Sequence, residues 1–358
     1  MRRLPRGSAG HAHQSHRQIG YRRQLRDYVF GYFHISAGLA ASVAPLTNTL
    51  MSVAPLRKIA AKTLGITQRR PFPKFASKRA KIEPQSSQST QRVIFLSDPF
   101  TRYIEPETEQ AAFDTLSICG FDVHVLPILG AGASFLSKGF IDQARAHAAR
   151  VLDFLNQIDP SSEATIVGIE PPEIYALKHD YLDLLPERAE EIQWRVDHAW
   201  LLDEFLVRST EFKNLRVANM ERLHSFGNAI SERKVHFHPH CHQRAQGLAP
   251  DGLPNGTNAT LELLRSCGYD VELMDTGCCG MAGTFGYEAE HYELSMKVGE
   301  LKVFPQIREL GTRDKELKLV SSGAACRLQI RQGTGVGAVH PIVLVANQLQ
   351  EWKSHGKR

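Results

Sequence analysis

The sequence predicts an α/β protein of two similar lobes, each a small parallel sheet covered by helices, preceded by a basic helical N-terminal segment. Three observations predict it. From residue 93 onward, apolar runs of strand length alternate with helical stretches, the pattern of parallel strands joined by crossover helices. The order of elements then repeats, and Cys119-Gly120-Phe121-Asp122-Val123 is echoed 148 residues later by Cys267-Gly268-Tyr269-Asp270-Val271. Charge is also unevenly divided: residues 1–80 hold fifteen Lys and Arg against one acid, Asp27, so a chain of net charge +5 has a basic leader and a body at −9.

Taken in order, residues 1–20 are an Arg-rich, acid-free tail expected to be disordered, and residues 21–80 form the basic helical segment. From Tyr28 to Leu56 there is no charged side chain, a length sufficient to cross a bilayer. Pro45, Pro55, Asn48 and the early breaks at Gly31, Ser36 and Gly38 argue instead for packed or interfacial helices. The polar Ser/Gln-rich stretch at 81–92 is a linker. The first lobe, 93–210, reads as strand 93–98, helix from Pro106 to Gly120, strand 121–127, helix 138–158, strand 164–170 and two helical stretches, 171–185 and 187–209. The second lobe, 211–358, repeats this with strand 234–240, helix 257–267, strand 269–275, a long helix 288–310, strand 316–323 and a last helix 339–352.

An apolar fraction of 42% with 23% charged residues excludes wholesale disorder, collagen and coiled coil. The modest net charge gives no reason to expect nucleic acid. Six cysteines in 358 residues are too few for a disulfide scaffold, and no secretory signal pattern is present, so a reducing, cytoplasmic setting is expected. In such a setting clustered cysteines point to metal or catalysis.

Cys241, Cys278, Cys279 and Cys326 each lie just beyond the C-terminal end of a predicted strand in the second lobe. Parallel strands bring those ends to one edge, so thiols 85 residues apart converge there. Four thiolates suit a tetrahedral zinc or an iron–sulfur cluster. Adjacent cysteines on a regular strand would face opposite ways, and Gly277 and Gly280 permit the turn that avoids this. Gly280, Gly283 and Gly286 leave room for backbone amides beside sulfur, and Arg327 is placed to offset cluster charge. His236 and His238 read as packed or solvated, and His240 or His242, flanking Cys241, as neighbours of the site. Cys119 and Cys267 read as small buried hydrophobes. The corresponding loops of the first lobe carry Gly130-Ala131-Gly132 and Glu173, with Asp98 near the counterpart of Cys241.

HCHQ (240–243), TGCCGMAGTFGYEAEHYELSMKVGEL (276–301), ACRLQI (325–330) and HP at 340–341 resemble the cysteine-rich CCG domain of heterodisulfide reductase B subunits and of the glycolate oxidase iron–sulfur subunit. The strongest similarity is to the C-terminal part of FAD-linked D-2-hydroxyacid dehydrogenases of the D-lactate and D-2-hydroxyglutarate type, and it extends upstream to about Tyr21. Two departures stand out. The first lobe reads Gly130-Ala131-Gly132 and Glu170-Pro171-Pro172-Glu173 where the family keeps CCG and EPSC, and Gly323-Ala324-Ala325-Cys326 stands where heterodisulfide reductases have CxxC. Neither a CxxCxxCxxxCP run nor a Gly-rich flavin domain is found.

The resemblance implies a 4Fe-4S cluster held by Cys241, Cys278, Cys279 and Cys326, with FAD only on a partner domain or subunit. The chain then looks like the tail of a longer flavoprotein, separated or truncated. It would pass electrons from that dehydrogenase partner to a quinone or another acceptor and would not oxidise a hydroxy acid alone. The basic segment is expected to dock the partner or the anionic inner face of the membrane, with a solvated extension as the alternative. Two rival readings are a structural-zinc scaffold without redox role and a thiol-dependent enzyme using Cys278 or Cys279. A vicinal disulfide between them would be strained.

Overall fold

The computed structural model describes residues 23–82, 91–219, 233–314 and 317–355. Its two four-stranded sheets are wholly parallel. The first contains β1 (Arg92–Phe95), β2 (Asp122–Val125), β3 (Thr165–Gly168) and β4 (Ala199–Leu201) in the order β2-β1-β3-β4. The second contains β5 (Lys234–His238), β6 (Asp270–Leu273), β7 (Leu319–Ser321) and β8 (Ala338–Val339) in the order β6-β5-β7-β8. The registers match as well: Arg92 pairs with Asp122 as Lys234 pairs with Asp270, so the Cys-Gly-aromatic-Asp-Val echo marks structurally equivalent strands.

The lobes share a core. Val93, Phe95, Leu116 and Phe121 of the first belong to one buried cluster with Val235, Phe237, Leu264 and Val271 of the second. The C-terminal helix Pro341–His355 closes it by packing on helix Pro106–Ile118 of the first lobe, burying Leu349 and Trp352. Cys119 and Cys267 lie in this apolar cluster, and burial pushes both thiols up, Cys119 to about 12. They are the packing residues the sequence suggests.

The strand–helix alternation has the expected order, with three differences. Stretch 187–209 is not one helix: Ala189–Asp197 stops, β4 intervenes, and Leu202–Arg208 follows. At three residues, β4 is too short to leave an apolar run distinct from its flanking helices, and the two-residue β8 escapes notice for the same reason. Residues 288–310 break at Lys302, whose φ of −146° is outside the helical range, into Tyr292–Leu301 and Val303–Arg313. The turn there seats Phe304, whose ring fills the space that a Cβ on Gly299 or Gly333 would occupy.

The apolar run from Tyr28 to Leu56 spans short helices: Leu25–Gly31, Phe33–Ser42, Ala44–Ser52 and the start of Ala54–Leu64, with Pro45 and Pro55 in first turns. Among the described residues no helix is long and apolar enough to cross a membrane. Residues 23–82 are also not a loose extension, which overturns the solvated-extension alternative. Arg23 donates to the carbonyls of Lys138 and Gly139 in the first lobe. Arg26 is buried, donates to Glu290 and lies 3.6 Å from Glu288 of the second. The amide of Thr67 donates to Tyr287 O at 2.8 Å. The tail 1–20 and linker positions 83–90 lie outside the described residues.

Phe304 is fully buried between helices Tyr292–Leu301 and Ala324–Thr334, the second of which carries Cys326. Phe304→Ala should lower unfolding free energy by about 3–5 kcal/mol. Urea unfolding followed by far-UV circular dichroism, with an unchanged m-value, is the check.

Candidate metal centre

Three of the four second-lobe strands, β5, β6 and β7, are followed by the cysteines. After β5, His240 caps the short helix Cys241–Arg244, its Nδ1 accepting from the amide of His242 at 3.2 Å. After β6 the chain turns through Cys278 and Cys279, with Gly280 at φ +91°. A Cβ there would sit 2.2 Å from Ser295 O, so only glycine lets both thiols leave the turn on one side. The Gly280 amide donates to Cys278 Sγ at 3.3 Å. After β7, Cys326 lies in the first turn of helix Ala324–Thr334. Gly323 is its N-cap, and a Cβ there would meet the His240 ring at 2.3 Å. That ring occupies the space a cysteine at position 323 would need.

The four cysteines line one cavity of about 750 Å³. Cys241 and Cys278 are exposed to it, whereas Cys279 and Cys326 are buried. Their sulfurs interact in series, 241 with 278, 278 with 279, and 279 with 326. Thiol hydrogen bonds from Cys241 and Cys279 hold Cys278 and Cys326 well below the usual thiol range and push the two donors up. Among the described residues, the one group of three or more ligating atoms mutually within 4.8 Å is Glu288, Glu290 and His291. No three of the four sulfurs therefore lie mutually within 4.8 Å. Glu288 and Glu290 are already paired with Lys138 and Arg26.

His236, His240 and His242 sit as the sequence suggests, and His238 does not. His236 faces away, 3.6 Å from Glu272. His240 adjoins the site, its Nδ1 3.9 Å from Cys241 Sγ, and His242 lines the cavity. His238, passed over in the sequence, sits beside Cys326. Its Nδ1 is 2.7 Å from Thr276 Oγ1, which leaves the buried Nε2 as the ring nitrogen free to face the sulfur. The signal available was its place at the end of β5, paired in register with Ser321 just before Cys326. Arg327 is buried and its charge is felt at Cys326. Its guanidinium is committed to Glu105 and to the carbonyls of Ser321 and Ser322 and does not line the cavity. Gly283, at φ +64°, does line it.

The sister lobe holds carboxylates where this one holds thiols. Ile166 and Leu319 occupy equivalent positions against β1 and β5, and seven residues beyond them stand Glu173 and Cys326. Gly132, at φ +94°, matches Gly280. Glu173 accepts from the amides of Ala131 at 2.6 Å and Ala133 at 3.3 Å, and a Cβ on Gly130 would lie 2.8 Å from its carboxylate. The glutamate therefore excludes a cysteine at position 130. Asp98 is one residue short of the Cys241 counterpart: like His240, it caps the helix after the first strand, accepting from the amides of Phe100 and Thr101. Glu170 crosses between lobes to accept from the amide of Ala324 at 3.1 Å. Burial, then mutual repulsion, raises Glu170 well above the usual range and Glu173 to about 7, and burial raises Asp98 to about 6.

Comparison with known proteins agrees with this layout. Residues 235–331 match a family described as a cysteine-rich domain, CCG. Over 336 residues, 92% of this chain, there is 26% identity to a subunit of the anaerobic glycerol-3-phosphate dehydrogenase of Escherichia coli K12, covering 78% of that protein. D-2-hydroxyglutarate dehydrogenase of the same organism is 24% identical over 90% of this chain, and that of Pantoea ananatis is 25% identical over 72%. This chain spans only 30% and 22% of those two enzymes. From 235 to 331 the chain is thus a cysteine-rich CCG domain, and over nearly its whole length it is similar to a subunit or part of dehydrogenases.

Proposed function

We propose that the chain is an iron–sulfur electron-transfer module of a flavin-linked 2-hydroxyacid dehydrogenase, with Cys241, Cys278, Cys279 and Cys326 as ligands. The observation that carries this reading is the meeting of four cysteines from three strand ends on one wall of one cavity. The donor set fits a cluster: four sulfurs on one cavity, with His238 beside Cys326. The CCG match and the similarity to dehydrogenase subunits favour a 4Fe-4S cluster over a single zinc. Bound there, a cluster takes and returns electrons singly.

The chain's own residues set the conditions for that exchange. Amides of Gly280 and Met281 point at Cys278 and Cys279, and such hydrogen bonds stabilise the more negative, reduced state. Buried Arg327 adds positive charge without competing for a ligand position. Removing hydride from a hydroxy acid requires the flavin of a partner chain or domain. Similarity to a dehydrogenase subunit and to a segment of D-2-hydroxyglutarate dehydrogenases supports such a partner.

The outer face of the N-terminal helices favours a peripheral position on a membrane. Ile35, Leu39, Leu46, Leu50 and Ile59 are 44–67% exposed, with Arg57, Lys58 and Lys62 close by in sequence. Residues 28–82 contain no acid. Apolar side chains with interspersed cations suit the surface of an anionic bilayer.

Full-length protein purified without oxygen should be brown, with iron and acid-labile sulfide. Cys278→Ser and Cys326→Ser should remove most of the iron, while Cys119→Ser and Cys267→Ser keep it. Colourless protein with stoichiometric zinc would overturn the redox reading. The same protein should co-sediment with vesicles containing phosphatidylglycerol. Leu39→Asp with Leu46→Asp should weaken that binding at least tenfold, since each leucine contributes about 1.5–3 kcal/mol on burial. Equal binding to neutral vesicles and by the double variant would remove the membrane part.

A further inference from the structure

The thiols hydrogen-bond in series, from Cys241 through Cys278 and Cys279 to Cys326, and no thiol hydrogen bond joins the two ends of that series. Cys241 is the exposed end and sits in a helix of only four residues. The ends are joined instead through the protein, by a side chain that does not line the cavity. Gln243 is 1% exposed, and its Oε1 accepts from two groups. One is the amide of His240, at 3.3 Å, directly before Cys241. The other is the hydroxyl of Ser322, directly before Gly323, the N-cap of the helix that carries Cys326.

The other end of the same amide is anchored outside the cysteine segments. Gln243 Nε2 donates to Asp203 Oδ2 at 3.2 Å and to Thr260 Oγ1 at 3.0 Å, and Thr260 donates to the same aspartate oxygen. Asp203 belongs to the first lobe, in helix Leu202–Arg208. A main-chain N–H only donates and an ionised carboxylate only accepts, so the network allows the amide one orientation. Water is a poor substitute here. The gap lined by Asp203, Gln243, Ser322 and His340 measures about 10 Å³, room for one molecule at most.

The sister lobe lacks the link. By strand register Thr101 stands where Gln243 does and Ile169 where Ser322 does. Thr101 donates back to Asp98 of its own turn, and the side chain of Ile169 has no polar atom. The connection is thus present in the lobe that carries thiols and absent from the one that does not.

We infer that Gln243 is the positioning residue of the cysteine centre, its one carboxamide oxygen fixing the segment that delivers Cys241 against the segment that delivers Cys326. The inference rests on the metal-centre reading above. With Gln243 in place, the separation of the end ligands is set by the lobe seam. Without it, Cys241 is free to swing toward solvent. Ligand spacing and solvent exposure both bear on reduction potential, so Gln243 acts on the centre without touching it.

The test uses full-length protein purified without oxygen and held at about pH 8, because burial and then Glu204 push Asp203 up to about 7. The first readout is the rate at which bathophenanthroline disulfonate strips iron, and the second is the midpoint potential. Gln243→Met, which keeps the side-chain length and loses the amide, should bind iron, release it at least tenfold faster and show a shifted potential. Asp203→Asn alone sets an N–H against the Gln243 amide and should speed release at least threefold. The double variant Gln243→Glu with Asp203→Asn exchanges carboxylate and amide. Its carboxylate still accepts from His240 and Ser322 and now also from the new amide, so release should return to within about twofold of the original rate. Should Gln243→Met fail to fold, Asp203→Asn and the double variant decide the matter. Single variants that keep iron at the original rate, or a double variant that loses it no more slowly than Asp203→Asn, overturn this inference alone. Original protein without iron overturns it together with the metal-centre reading.

Discussion

Everything at the centre of this molecule depends on the strand direction. Because both sheets are wholly parallel, each delivers all its C-terminal ends to one edge, and residues distant in sequence leave those edges together. The shared core of Val93, Phe95, Val235 and Phe237 holds the lobes together, and both C-terminal edges contribute to one cavity. An antiparallel pairing would send alternate ends to opposite sides, and Cys241, Cys278 and Cys326 could not meet.

The two edges solve the same geometric problem with different chemistry. In the second lobe small residues make room for sulfur: Gly280 accepts a backbone that a Cβ would drive into Ser295, and Gly323 yields its space to the His240 ring. In the first lobe the turn glycine persists as Gly132, but Glu173 now reaches the amides that a ligand-bearing loop would offer to sulfur. Each substitution excludes reversal at its neighbour, since the carboxylate of Glu173 leaves no room for a side chain at Gly130. The first lobe has the same scaffold with a proton-binding group where the second has a soft ligand.

Most of this was legible in sequence where the signal was a run or an echo. The alternation of strands and helices, the repeat that pairs Asp122 with Asp270 and the strand-end placement of Cys278, Cys279 and Cys326 are all local patterns. Features that depend on contacts between distant segments were not. The three residues of β4 gain their conformation from pairing with β3, and the break at Lys302 comes from the need to bury Phe304. His238 looked like one histidine among three on an alternating strand, and only the register with Ser321 sets it beside Cys326. Arg327 was expected to offset cluster charge or to lie at the surface; it is buried near Cys326, and Glu105, from the other lobe, captures its guanidinium.

The N-terminal segment ties these pieces together. Its apolar run looks like a membrane span by length, but Pro45 and Pro55 start new helices before any one is long enough. What remains is a set of short helices with two faces. Inward, Phe30 and Phe33 line the cavity while Arg26 is held by Glu290. Outward, Ile35, Leu39 and Leu46 stay exposed. A segment that only anchored the protein would need the outer face alone, and one that only covered the cavity would need the inner. The short helices therefore present Arg26, Phe30 and Phe33 to the cavity and Ile35, Leu39 and Leu46 to the outside.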